Sequence, residues 1–190
     1  LNSYALSVSK NGAGNGTVTS APAGISCGAT CSASFPGGSM VTLTAAAASD
    51  STFAGWSGAC TGAATTCVVN VSAAATVQAN FTLNSYALTV NKAGTGSGTV
   101  NSLPAGITCG ATCSSTYVHG TTVTLTATQD ASSTFTGWSG ACTGTGTCTL
   151  TMNSDKAVAA TFTRENRRQI TRMNGEGRLD SNTDRIQFHF

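Results

Sequence analysis

The feature that most constrains the fold is a duplication. "LNSYALSVSKNGAGNGTVTSAPAGISCGATCS" from Leu1 realigns with "LNSYALTVNKAGTGSGTVNSLPAGITCGATCS" from Leu83. The match runs on to "VQANFT" (Val77–Thr82) and "VAATFT" (Val158–Thr163), with one extra residue between Cys60 and Cys67 in the first copy. Residues 1–82 and 83–163 are therefore read as two copies of one module. No linker separates them: "NFTLNSYALTV" passes from one copy straight into the next. That continuity favours a stiff tandem in which a strand runs almost directly between modules.

Within each copy the apolar residues alternate. "YALSVS", "GTVTS", "MVTLTA", "CVVNVS" and "TVQANF" place Val, Leu, Tyr and Phe on one side and Ser and Thr on the other. Period two is that of half-buried antiparallel strands, and Gly, Asn and Pro punctuate the runs. Asn11-Gly12 and Asn15-Gly16 fit a tight connection between the first two strands. No helical stretch of convincing length occurs, so the expectation is an all-β fold. Threonine rows such as "TTVTLTAT" (Thr121–Thr128) read as the solvent side of a strand. Charge is scarce, and β-branched residues are too frequent for a disordered chain. No apolar run reaches the roughly 18 residues of a membrane helix. The start at Leu1, without an initiator Met, is expected of a mature fragment.

Eight cysteines recur at matching places: Cys27, Cys31, Cys60 and Cys67 in the first copy, Cys109, Cys113, Cys142 and Cys148 in the second. A four-cysteine zinc site normally uses two-residue knuckles, and no acid or histidine cluster supports a metal here. Disulfides in an oxidising compartment are the expectation, with no metal and no cofactor. Four cysteines allow three pairings. Loop entropy favours long-range bridges, worth nearly 4 kcal/mol against about 2 kcal/mol for local ones in the chain-entropy model. The one-residue length difference inside 60–67 favours local bridges, since a small closed loop absorbs it without shifting a strand. Local pairing is expected. A module of about 80 residues has a thin core and gains from such staples.

"GWSGAC" stands at Gly55–Cys60 and again at Gly137–Cys142. A serine between glycines raises the question of a nucleophile. A catalytic serine needs a base, and the only histidines are His119, which aligns with Gly37, and His189, outside both copies. The hydrolase elbow needs glycine at its fifth position, where Ala59 and Ala141 stand. Ser57 and Ser139 are therefore read as non-catalytic. Phe53, Trp56 and Phe81, with Phe135, Trp138 and Phe162, are the expected core anchors. No acid pair is repeated, which argues against glycosidase chemistry and calcium-stiffened repeats. The chain is expected not to be an enzyme.

The remaining segment, 164–190, is different chemistry. It carries all six arginines and four of the seven acids, for a net charge of +2, while residues 1–163 balance three Lys against three Asp. Interleaved signs make nucleic-acid binding a poor reading. The tail alternates in "RIQFHF", so Ile186, Phe188 and Phe190 are expected to form an assembly strand that adds to an open sheet edge of a neighbouring subunit. The plainer readings of this segment are a disordered end or the start of a following domain.

The succession "GTVTSAPAGISCGATCSASF … VTLTA … STFAGWSGACTG … CVVNV … VQANFT" resembles the divergent internalin-type B-repeat family of bacterial surface proteins, across both copies. That resemblance implies compact β-grasp-like modules without catalytic residues, on an extracellular protein or the bacterial cell surface. It implies a stalk, adhesin or fibre unit whose partners are copies of itself, neighbouring repeats, or a host or surface ligand. The tail lies outside the pattern. The competing reading is a carbohydrate- or ligand-binding accessory module of a larger secreted protein, which requires Trp56 and Trp138 to face solvent.

Overall fold

The computed structural model describes residues 2–110 and 112–165. Residues 166–190, and with them His189 and the expected assembly strand at Ile186, Phe188 and Phe190, lie outside the described residues. The first module contains β1 (Ser3–Asn11), β2 (Gly16–Ala21), β3 (Ser26–Cys27), β4 (Ser32–Pro36), β5 (Ser39–Ala47), β6 (Ser51–Gly58), β7 (Thr66–Val71) and β8 (Ala75–Leu83). The second repeats them as β9 (Ser85–Ala93), β10 (Gly98–Leu103), β11 (Thr108–Cys109), β12 (Ser114–Val118), β13 (Thr122–Gln129), β14 (Ser133–Gly140), β15 (Cys148–Thr151) and β16 (Lys156–Arg164). There is no helix among the described residues.

The strands form two four-stranded sheets per module, ordered β4-β1-β8-β6 and β3-β2-β5-β7, and correspondingly β12-β9-β16-β14 and β11-β10-β13-β15. One continuous cluster joins their inner faces. Leu6, Val8, Trp56, Val77, Ala79 and Phe81 of the first sheet meet Val18, Val41, Leu43, Val69 and Val71 of the second. Each module is thus a small β-sandwich. The fold is all-β, and the compact fold implied by the resemblance takes a two-sheet form, with a second sheet rather than a helix covering the apolar face.

The alternation explains which residues are inside. Along β5, Val41, Leu43 and Ala45 are buried, while Thr44 and Ala46 face water. β13 repeats this with Val123 and Leu125 against Thr122 and Thr126. Two features differ from the pattern read in the sequence. The Gly12–Asn15 connection does not close a hairpin: β1 and β2 belong to different sheets, so the chain arches across the sandwich. And β1 pairs with β8 in parallel, as β9 does with β16. Alternation reports which face a residue occupies, not which strand lies beside it or in what direction.

Candidate functional site

The repeated GWSGAC segment is where sequence identity is most concentrated, and its geometry is set by glycine. Opposite β8 the register slips between Phe53 and Gly55, a bulge that recurs between Phe135 and Gly137 opposite β16. Gly55 and Gly137 sit at φ of 130° and 141°, a left-handed backbone that a side chain strains. The bulge aims the next residue inward. Trp56 and Trp138 are each only 5% exposed. Their rings meet Phe53 and Phe135 edge-on at 5.0 Å in both modules, and those phenylalanines in turn meet Phe81 and Phe162 at 5.4 Å. Phe81 and Phe162 are fully buried, while Phe53 and Phe135 pack against the core from its margin.

Each tryptophan is also tied to the loop that follows it. The backbone N–H of Trp56 donates to the Gly62 carbonyl at 2.8 Å, and its indole N–H donates to the Ala64 carbonyl at 2.9 Å. Trp138 repeats both bonds, to Gly144 at 2.7 Å and Gly146 at 2.7 Å. A buried indole needs such a partner, and the loop supplies it. Ser57 Oγ donates to Gln78 Oε1 at 3.2 Å and accepts from Asn80 Nδ2 at 3.3 Å. Its partners are amides of its own sheet. His119 lies in the other module, beside the Tyr86 ring.

The cysteines lie at or beside the edge strands of the two sheets. Cys27 belongs to β3, an edge of one sheet, and its bridge partner Cys31 directly precedes β4, an edge of the other. Cys60 follows β6 and is bridged to Cys67 of β7, the two edges on the opposite side. The bridges therefore close both lateral seams of the sandwich. The second module does the same with Cys109–Cys113 and Cys142–Cys148. At the first seam the carbonyl of Cys31 also accepts from Val8 N at 2.7 Å, and that of Cys113 from Val90 N at 2.8 Å. Each short bridge joins cysteines only four to seven positions apart in the chain.

A third constellation went unread in the sequence. β8 ends at Leu83 and β9 begins at Ser85, so Asn84 alone lies between the modules. Its N–H donates to the Asp50 carbonyl at 2.8 Å and its Nδ2 to the Ser49 carbonyl at 3.2 Å, while its Oδ1 accepts from Thr52 Oγ1 at 2.7 Å. All three partners belong to the first module. Its own carbonyl accepts from His119 N, in the second module, at 2.7 Å. His119 Nδ1 is buried and finds no hydrogen-bond partner among the described residues. At the far end Glu165 repeats the posture of Asn84: its N–H donates to Ser132 O at 3.0 Å and its Oε1 accepts from Thr134 Oγ1 at 3.0 Å. The recurrence of Thr52 and Thr134 in both copies was the available signal for this socket.

Little else among the described residues offers chemistry. A shallow recess of about 410 Å³ is lined by Lys10, Asn15 and Ala46–Ala48. The ammonium there is already engaged by Asn15 Oδ1 and the Gly16 carbonyl, both at 3.1 Å. No group of three His, Cys, Asp or Glu side chains among the described residues is placed to hold a metal, and no helix there is long and apolar enough to cross a membrane.

The family model described as the divergent InlB B-repeat domain matches residues 6–85 and again residues 86–166. The chain belongs to that family. Its two B-repeats are similar in fold to the TIE protein of Bacillus anthracis, with a TM-score of 0.52 at 8% identity. The alignment covers 85% of this chain and 34% of that protein, so the B-repeat pair spans about a third of its length. Weaker likeness extends to the major pilin T-13 of Streptococcus pyogenes, with a TM-score of 0.37, 8% identity, and coverage of 87% of this chain and 98% of that one. For the minor pilin GBS52 of Streptococcus agalactiae the TM-score is 0.30 at 7% identity, with 98% and 100% covered. No curated protein matches the B-repeats in sequence.

Proposed function

We propose that the chain is a non-catalytic structural segment of a bacterial surface protein, a stalk, adhesin or fibre unit in which the B-repeats serve as rigid spacers. One observation carries this reading. Both tryptophans of the repeated GWSGAC segment lie inside the sandwich, and its cysteines are bridged along the seams. Repetition here preserves a building block rather than a recognition surface. Family membership and eight cysteines paired in four bridges fit an oxidising, extracellular setting. The accessory-module reading required exposed tryptophans, and the burial of both counts against it. Immunogold labelling of intact producing cells tests the proposal. Label on unpermeabilised cells is expected; label that appears only after permeabilisation would refute a surface role.

Within this reading we place self-association, with strand addition by Ile186, Phe188 and Phe190 as its route. Its support is the alternation of the tail and the open edges offered by strands such as β4, β7 and β15. Deleting 166–190, which spares β16 and Glu165, and imaging the purified protein by electron microscopy decides it. Loss of fibres present in the intact chain supports strand addition; unchanged fibres, or none in the intact chain, rule it out.

A further inference from the structure

The direction of the terminal strands has a mechanical consequence. Each module begins on β1 or β9 and ends on β8 or β16, and in both cases these first and last strands are parallel neighbours at the centre of one sheet. The register runs from Leu6 opposite Ala75 to Asn11 opposite Asn80, and from Leu88 opposite Lys156 to Ala93 opposite Thr161. Tension applied to the ends of the chain enters β1 at Ser3 and leaves β8 at Leu83. In a parallel pair those points lie at opposite ends of the ladder. The strands can then separate only by sliding along one another, so the whole set of inter-strand hydrogen bonds is loaded together. In an antiparallel terminal pair the two points would lie at the same end, and the bonds would open one at a time.

We infer that each B-repeat is a shear clamp that bears load along the chain, and that the two clamps act in series. This deepens the reading of the chain as a surface spacer and rests on it for its biological use. Three further features fit. Both clamp strands are interior, flanked by β4 and β6 or by β12 and β14, so neither can fray from an edge. One face of the ladder is dry, with Leu6, Val77, Ala79 and Phe81 fully buried, and a side-chain bond from Asn11 Nδ2 to Asn80 Oδ1 at 3.1 Å closes its far end. And only Asn84 separates β8 from β9, so tension leaving one clamp passes into the next without slack.

The bridges do not bypass the clamp. Cys27–Cys31 and Cys60–Cys67 both lie between β1 and β8 in the chain and join neither to the other. The load therefore falls on hydrogen bonds, while the bridges shorten what is released. From Ser3 to Leu83 are 81 residues, of which 11 lie within bridged separations of 4 and 7. About 70 residues remain to extend, roughly 24 nm of chain.

Optical-tweezers extension of the full chain tests the clamp in two geometries at one loading rate. In the first, handles sit at the two chain ends. In the second, they sit at positions 2 and 74, introduced as azide-bearing residues so that the native cysteines stay paired; both positions lie at the same end of the β1–β8 ladder. End-to-end pulling is expected to give two abrupt steps of roughly 20 nm each, the released chain less the roughly 3.6 nm that the folded ladder already spans, at a force several-fold above that of the same-end geometry. Reductant is expected to lengthen the first module's step by roughly 4 nm with little change in force. Equal forces in the two geometries would overturn the clamp. So would a fall of the end-to-end force to the same-end value on reduction, since the bridges would then be carrying the load. Either failure leaves the surface location untouched, and an intracellular location would leave the force difference untouched.

Discussion

Replacing Trp138 by alanine separates the two modules energetically. The ring is 5% exposed, meets Phe135 edge-on, and bonds Gly146 through its indole N–H. Truncating a core tryptophan costs about 3–5 kcal/mol in transfer and cavity terms. A module of about 80 residues is stabilised by only about 4–12 kcal/mol in total. Trp138→Ala should therefore remove about half of the stability of the second module. The chain has two tryptophans, one per module, so the variant leaves Trp56 as a reporter on the first module alone. Urea titration followed by Trp56 fluorescence, with amide exchange by mass spectrometry across 83–163, reads the two modules separately. The expected result is lost protection in β13–β16 with a shift of less than about 1 kcal/mol in the Trp56 transition, since distant sites add independently. A cost below about 1 kcal/mol in the second module would refute the anchoring role of the tryptophan. An equal loss in both modules would refute their independence.

Other perturbations follow from single contacts. Replacing Cys60 and Cys67 together by serine should cost about 2 kcal/mol, the chain-entropy value for so short a loop, checked by urea titration. Gly58 sits at φ 93°, and a Cβ there would stand 2.5 Å from the Thr76 carbonyl; Gly58→Ala should cost more than about 1 kcal/mol in the same assay. Asn84→Ala removes the bonds to Thr52 and Ser49. It should leave each module's unfolding nearly unchanged while loosening their relative orientation, measured by residual dipolar couplings. Ser57→Ala should shift stability by less than about 0.5 kcal/mol, because its amide partners are exposed enough to turn to water.

Much of the fold is legible because the sequence states it twice. Val41-Thr42-Leu43-Thr44 and Val123-Thr124-Leu125-Thr126 declare the same period-two strand, and the all-β class follows from that repetition. What alternation could not convey was partnership. Leu6 and Val8 report an inward face equally well beside any strand, so the parallel neighbour β8, some 70 residues away, leaves no local trace. The cysteines behave similarly: spacing suggests which pairs are near in the chain, but that the two bridges lie on opposite seams depends on a sheet order that spacing does not contain. Asn84 was hard to read for another reason. Two of its four bonds are made by its backbone, which any residue carries, and a lone asparagine before a strand looks like any turn residue.

GWSGAC is an internal device, its tryptophans used for packing rather than for recognition. Tryptophan emission of the folded chain tests this most directly. The prediction is a blue-shifted spectrum that resists acrylamide quenching and does not move on adding soluble polysaccharide. A red-shifted, readily quenched emission that responds to polysaccharide would contradict it.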